Sequence, residues 1–178
     1  DDLRGKSLAF GDVDSTSGYL VPAVELTGNG ISLNPGDYFG NVVFTGGHNP
    51  SIRAVRDGDV DAAVTWSTRV GEFEDGYNSG AFREFIDKND ESASAYKEIW
   101  FSSRIPAGGY FAHESADSDE LDAFYEALSA VFADGLHLNG IRDLFNGSDL
   151  SGLERTTPSD YASIIQTRRE YFLGTDQG

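Results

Sequence analysis

Within the first sixty residues, a short apolar run, a glycine-bounded polar turn and a helix follow one another twice. This repeat constrains the chain more than any other feature. The first copy is Ser7-Leu8-Ala9-Phe10, then Gly11-Asp12-Val13-Asp14-Ser15-Thr16-Ser17-Gly18, then a helix from about Ser17 to Thr27 that Gly28-Asn29-Gly30 ends. The second is Val42-Val43-Phe44-Thr45, then Gly46-Gly47-His48-Asn49-Pro50, then a helix Ser51 to Arg56 closed by Asp57-Gly58-Asp59. A third apolar run, Val60 to Trp66, follows. Strands alternating with helices in this way imply parallel pairing with crossover helices, and uninterrupted apolar strands imply a sheet covered on both faces. The expected class is therefore α/β. In such sheets ligands sit at the carboxyl ends of the strands. Three loops meet that edge: Asp12–Ser17, Gly46–His48 and Thr65–Ser67.

Ser15, Thr16 and Ser17 are all favourable helix-capping residues. A helix start leaves backbone N–H groups without partners and carries partial positive charge. Three hydroxyls and Gly18 at that point suit a small oxyanion, because the glycine admits close approach and the hydroxyls donate. The same residues also suit a plain helix cap. His48 belongs to the second glycine-rich loop at the same edge, where an imidazole can donate to an anion. Trp66, at the end of the third run, suits either the wall of a ligand pocket or the core. Asp12 and Asp14 flank the first turn as capping charges or as partners for the cationic end of a zwitterion. His113 and His137 have no such company and read as structural or surface residues.

Other local patterns lead away from metal and covalent chemistry. Gly5-Lys6-Ser7 lacks the preceding glycine and strand of a phosphate-binding loop. Asp57-Gly58-Asp59-Val60-Asp61 alternates carboxylates like a calcium loop but lacks its sixth-position glycine and twelfth-position glutamate, so it reads as a helix-ending turn. There is no cysteine, and no nucleophile–base–orienter set is evident. No cofactor is expected. A net charge of −17 excludes the basic face that a nucleic acid requires. Three lysines against ten arginines, beside 30 acidic residues, give a halophile-like surface. No apolar run is long enough to span a bilayer.

Farther along, residues 71–95 are polar and irregular around a helix near Ala81–Lys88. Tyr96 to Phe101 reads as a fourth strand, Ser102 to Gly109 as a connector and Tyr110-Phe111-Ala112 as a short strand. Ser118 is placed to cap a helix from Asp119 to Ala133, with Leu121, Phe124, Leu128 and Val131 at helical spacing. Gly140 to Phe145 reads as a short helix and Asp160 to Leu173 as the last one. A boundary near Ile105–Gly109 divides residues 1–105, a complete α/β lobe, from residues 106–178. That second part has apolar helical faces that need a sheet to cover, and the sequence supplies little of one.

Several of these segments, taken in order, carry a family resemblance. They are Asp2-Leu3-Arg4-Gly5-Lys6-Ser7-Leu8-Ala9-Phe10-Gly11-Asp12, Ser15-Thr16-Ser17-Gly18-Tyr19-Leu20-Val21-Pro22, Phe44-Thr45-Gly46-Gly47-His48 and Ala54 to Ala62. The chain closely resembles the phosphonate, phosphite and phosphate solute-binding proteins of ABC transporters. Ile99-Trp100 through Ile105-Pro106 fits that family's return strand. The resemblance implies a type II periplasmic-binding-protein fold of two hinged lobes. Residues 1–105 would be the ligand-binding second lobe, and 106–178 the C-terminal part of the first, whose N-terminal portion lies outside this sequence. It also implies that Ser15, Thr16 and Ser17 hold the oxyanion while His48 contacts it. The expected protein is a non-enzymatic monomer outside the cytoplasm, either periplasmic or at the cell surface, where preceding sequence could carry a lipid anchor. It would pass a small phosphorus oxyanion to a membrane ABC permease. Alternatives are an enzyme on the same fold acting on a phosphorylated small molecule, or the ligand-sensing domain of a receptor or regulator, because fold alone does not select among them.

Overall fold

The computed structural model describes residues 3–106, 109–133 and 153–175. It contains a three-stranded parallel sheet in the order β2-β1-β3, built from β1 (Ser7–Phe10), β2 (Asn41–Phe44) and β3 (Ala62–Ala63). β1 is central, and Leu8, Ala9 and Phe10 are buried, as expected of a strand covered on both sides. Ser7 to Phe10 pair with Asn41 to Phe44, while Leu8 and Ala9 pair with Ala62 and Ala63. Mixed helices on a parallel sheet make the chain α/β, as its strand–turn–helix repeats imply.

The third strand is shorter than the apolar run Val60 to Trp66 suggests. Before it, the Asp61 carboxylate turns back to Ser7, accepting from the Ser7 N–H at 2.8 Å and the Ser7 hydroxyl at 2.7 Å. After it, Val64 N–H still donates to Ala9 O at 2.8 Å, and the chain then leaves to form an isolated antiparallel bridge between Ser67 and Gly80.

Alternation along the strands sends successive side chains to opposite faces. Leu8, Phe10 and Ala62 pack on one face with Leu26 of α1 (Val21–Gly28) and with Phe39, and Val64 joins them. The other face is covered by α2 (His48–Arg56), which packs on β1, on β3 and on α3 (Ala81–Asn89). Ile52 of α2 enters a second cluster there with Phe82, Phe85, Ile86 and Ala93. α2 begins at His48, three residues earlier than expected. Pro50 does not delay it, because a first-turn residue needs no N–H partner. Asp57 ends α2 and Gly58 follows with φ 78°, so the acidic run Asp57 to Asp61 is the expected helix-ending turn.

Residues 96–101 are not a strand. No described strand lies beside them, so the run has no ladder partner, and Ile99, Trp100 and Phe101 stand 53, 41 and 57% exposed. Side chains fix the segment instead. Tyr96 donates to Glu91, Tyr77 OH donates to Glu98 at 2.9 Å, and Arg69 pairs with Glu98 at 3.1 Å while covering the Phe101 ring at 3.6 Å. Ser103 N–H donates to the Glu25 carboxylate of α1 at 3.0 Å.

The chain divides into two compact units, Asp1–Ile105 with Ala162–Gly178, and Pro106–Tyr161. The second holds α4 (Ser118–Ala133). Its cap is Asp117 rather than Ser118, with Asp117 Oδ1 accepting from Asp119 N at 2.9 Å and Glu120 N at 3.1 Å. The expected short strand at Tyr110 to Ala112 does not form, and Phe111 is 84% exposed. The helix expected at Gly140 to Phe145 and His137 lie outside the described residues. α5 (Ala162–Thr175) follows a 3-10 turn at Pro158–Tyr161 and sets the Tyr171 ring edge-on to Tyr19, with centroids 5.8 Å apart.

Candidate anion site at the sheet edge

The loop after β1 is shaped by its own backbone. Ser15 N–H donates to Asp12 O at 3.0 Å, Asp14 N–H donates to Asp12 Oδ1 at 2.9 Å, and both aspartates remain exposed. The helix then begins with a wide first turn over Thr16–Leu20, in which Ser15 O receives both Tyr19 N–H and Leu20 N–H at 3.0 Å. Ser15 Oγ caps it by accepting from Gly18 N–H at 3.0 Å. These bonds leave Thr16 N–H and Ser17 N–H as the first-turn donors, without acceptors among the described residues.

The loop after β2 arrives at the same place. Thr45 N–H donates to Phe10 O at 3.0 Å and Gly46 N–H to Gly11 O at 3.1 Å, so the β2 exit is stitched to the β1 exit. Gly46 makes that turn with φ 82°, in the left-handed region. Thr45 Oγ1 and Ser51 Oγ stand 2.6 Å apart, and each lies within hydrogen-bond distance of both Phe10 O and Gly47 O, among which their two protons are shared. This network docks the first turn of α2 on the strand ends. Gly47 supplies no side-chain cap, and His48 is the first residue of α2.

The two helix starts therefore meet. His48 Nε2 lies 3.3 Å from Ser17 Oγ. A Cβ on Gly18 would fall 2.9 Å from Ser15 Oγ and 3.2 Å from His48 Cε1, so only glycine fits between them. Gly11 joins the same junction, donating to Gly18 O at 3.0 Å, with its own Cβ position 3.5 Å from Gly18 Cα and 3.6 Å from the Gly47 carbonyl carbon. Burial lowers the His48 pKa below its ordinary value near 6.5, so the ring is neutral at pH 7. A neutral ring, hydroxyls and helix N-terminal amides can bind an anion by hydrogen-bond geometry without a full positive charge.

Of the six residues expected at the site, the structure brings Ser15, Ser17, Gly18 and His48 into one cluster, with Thr16 at the first position of the helix. Trp66 stands apart from those bonds. It is half-buried beyond β3, its carbonyl oxygen is 2.8 Å from the Cβ position of Gly80, and no described hydrogen bond or ring contact joins it to Ser17 or His48. Thr65 opens the third of the edge loops that the sequence singles out, although it is not among the six expected ligand residues. Its Oγ1 is buried without a hydrogen-bond partner among the described residues. His113 lies in the other unit, exposed and 2.8 Å from Ser115 Oγ, as a turn residue. No described group of histidines and acids can hold a metal ion, and no described helix is long and apolar enough to cross a membrane.

Two comparisons bear on this site. A family model described as the phosphonate periplasmic substrate-binding protein of ABC transporters matches residues 1–161. The phosphate-import protein PhnD of Mycolicibacterium smegmatis is 30% identical over 146 residues, which cover 80% of this chain and 41% of PhnD. The chain thus spans less than half the length of that curated relative.

Proposed function

The chain belongs to the phosphonate family of periplasmic substrate-binding proteins of ABC transporters, and we propose that its sheet edge binds a small phosphorus oxyanion for delivery to a membrane permease. Residues 1–105 act as the ligand-binding lobe. Ser17 and the free amides of Thr16 and Ser17 donate from one helix start, and His48 donates from the other. Ser15 holds the cap and Gly18 keeps the two starts in contact. Trp66, in the loop after β3, is the remaining candidate for the pocket wall. The protein works as a binder rather than a catalyst, as a monomer outside the cytoplasm and without a nucleic-acid partner. The observation that carries this reading is the approach of Ser17 Oγ to His48 Nε2, which puts two helix N-termini and a neutral imidazole at one strand edge.

Electrostatics sharpen the proposal. A chain of net charge −17 binds an anion against its own field. The three edge loops contain no lysine or arginine, so short-range donors supply the affinity, and salt weakens the opposing field. Hydroxyls can also accept a hydrogen bond from a protonated oxyanion.

Calorimetric titration of the protein in concentrated KCl tests this. The ligands are methylphosphonate, 2-aminoethylphosphonate, phosphite, phosphate and sulfate, each against wild type and Ser17→Ala/His48→Ala. Saturable binding of one phosphorus compound, lost in the double variant, is the expected result. Failure of all four phosphorus compounds, or equal binding by the double variant, overturns it.

A further inference from the structure

We propose that Thr65 is a further ligand-binding residue, whose hydroxyl completes the oxyanion site from the β3 side of Gly11. This rests on the anion reading above. The register carries the placement. Leu8 pairs with Ala62 and Ala9 with Ala63, and Val64 N–H donates to Ala9 O as the last bond of that ladder, so Thr65 is the first residue past it, at the β3 exit. On the opposite side Phe10 pairs with Phe44, which sets Thr45 beside Gly11. Two threonines thus follow the strands on either side of β1, whose exit residue Gly11 donates to Gly18 O at the junction of the helix starts.

They also share a face. Val64 packs with Leu8 and Phe10 on the α1 face, so alternation turns Thr65 to the α2 face, and Thr45 is on that face through Ser51 of α2. Their hydroxyls differ in one respect. Thr45 Oγ1 contacts Phe10 O, Gly47 O and Ser51 Oγ, whereas buried Thr65 Oγ1 has no partner among the described residues. A hydroxyl buried without a partner is costly, and a site that keeps one has a use for it.

A ligand supplies that use. Adjacent strands stand about 5 Å apart, so Thr65 is one strand from the Gly11–Gly18–Gly47 junction. Ser17 and His48 approach that junction from the β1 and β2 exits, and a tetrahedral oxyanion presents oxygens to more than these two sides. Thr65 Oγ1 can donate to an anionic oxygen or accept from a protonated one. The ligand class is therefore a tetrahedral oxyanion held from all three strand exits.

The test compares wild type, Thr65→Val, Thr65→Ser and Ser17→Ala by titration with methylphosphonate, phosphite and phosphate, and by thermal unfolding without ligand. Valine keeps the shape and removes the hydroxyl, while serine keeps the hydroxyl. The expected result is a loss of about tenfold in affinity for Thr65→Val, equivalent to about 1.4 kcal/mol, with Thr65→Ser near wild type. The ligand-free Tm of Thr65→Val should equal or exceed that of wild type, because the removed group had no partner. A lowered Tm would show a structural partner for the hydroxyl and overturn the inference. Thr65→Val binding like wild type while Ser17→Ala fails to bind would overturn it and leave the anion site standing. Wild type binding none of the three compounds would overturn both readings together.

Discussion

Ser17 Oγ and His48 Nε2, 31 residues apart in the chain, stand 3.3 Å apart where the first helix and α2 begin. Burial holds His48 neutral, with its pKa below the ordinary value near 6.5. The unfolded chain therefore takes up the proton at a higher pH than the folded one. Stability from the neutral ring is complete above about pH 6.5 and falls as the pH drops below it. We expect the urea midpoint of wild type to decline from pH 7.5 to 5.5, and that of His48→Gln to decline less. Parallel profiles for the two proteins would contradict the burial of the ring.

Gly18 is the narrowest point of the site. An alanine there ordinarily favours a helix, but its Cβ would fall 2.9 Å from Ser15 Oγ, 3.2 Å from Ser15 Cβ and 3.2 Å from His48 Cε1. It would push the capping hydroxyl off its own N–H and the imidazole away from Ser17. Gly18→Ala is expected to destabilise by about 1–2 kcal/mol, the scale of a lost cap, and to lose ligand. Gly28, at the end of α1, has nothing within 4 Å of its Cβ position, so Gly28→Ala is the control. It should be neutral or stabilising by up to about 1 kcal/mol. Chemical denaturation of both variants checks the contrast.

The parts of the fold that were legible in the sequence are those decided by neighbours in the chain. The run Ser7 to Phe10, the Ser15 cap and the helix after it are all set within a few residues, and each formed where expected. The start of α2 was misplaced because Pro50 reads as the end of a turn, although a proline is at ease in a first turn. Ser118 and Asp117 are both good caps one residue apart, and only the bonds to Asp119 and Glu120 distinguish them. Tyr96 to Phe101 has strand-forming residues, but a strand also needs a partner, and none is described there. Thr65 lies in an edge loop that the sequence singles out, but its unpartnered hydroxyl is a product of packing between strands, which neighbours in the chain do not reveal.

Asp61 ties the two ends of the β1–β3 pair. Its carboxylate accepts from the Ser7 backbone N–H, the Ser7 hydroxyl and Lys6 Nζ, and those bonds lower its pKa to about 2. A carboxylate lowered in the folded state contributes stability above its unfolded value near 3.9 and loses it as the pH falls toward 2. Asp61→Asn keeps the size and removes the charge. It should lower the thermal midpoint at pH 7 and flatten the acid decline between pH 4 and pH 2, as read by unfolding at stepped pH. Equal acid declines in the two proteins would remove Asp61 from the account.

The surface charge leads to a last prediction about salt. With 30 acidic residues against 13 basic ones, self-repulsion works against the compact state. The Debye length shrinks from about 10 Å at 0.1 M salt to about 3 Å at 1 M, so most of that repulsion is screened within this range. The described ion pairs pull the other way. Lys6–Asp61 and Arg83–Asp87 are exposed and Lys88–Glu84 is partly so, and surface pairs of this kind contribute about 0–1 kcal/mol each before screening. Repulsion among 17 uncompensated charges should outweigh that loss. The urea midpoint is therefore expected to rise as KCl goes from 0.1 to 1 M and then to level off. A midpoint that falls over the same range would mean that the ion pairs, rather than the net charge, dominate the surface electrostatics.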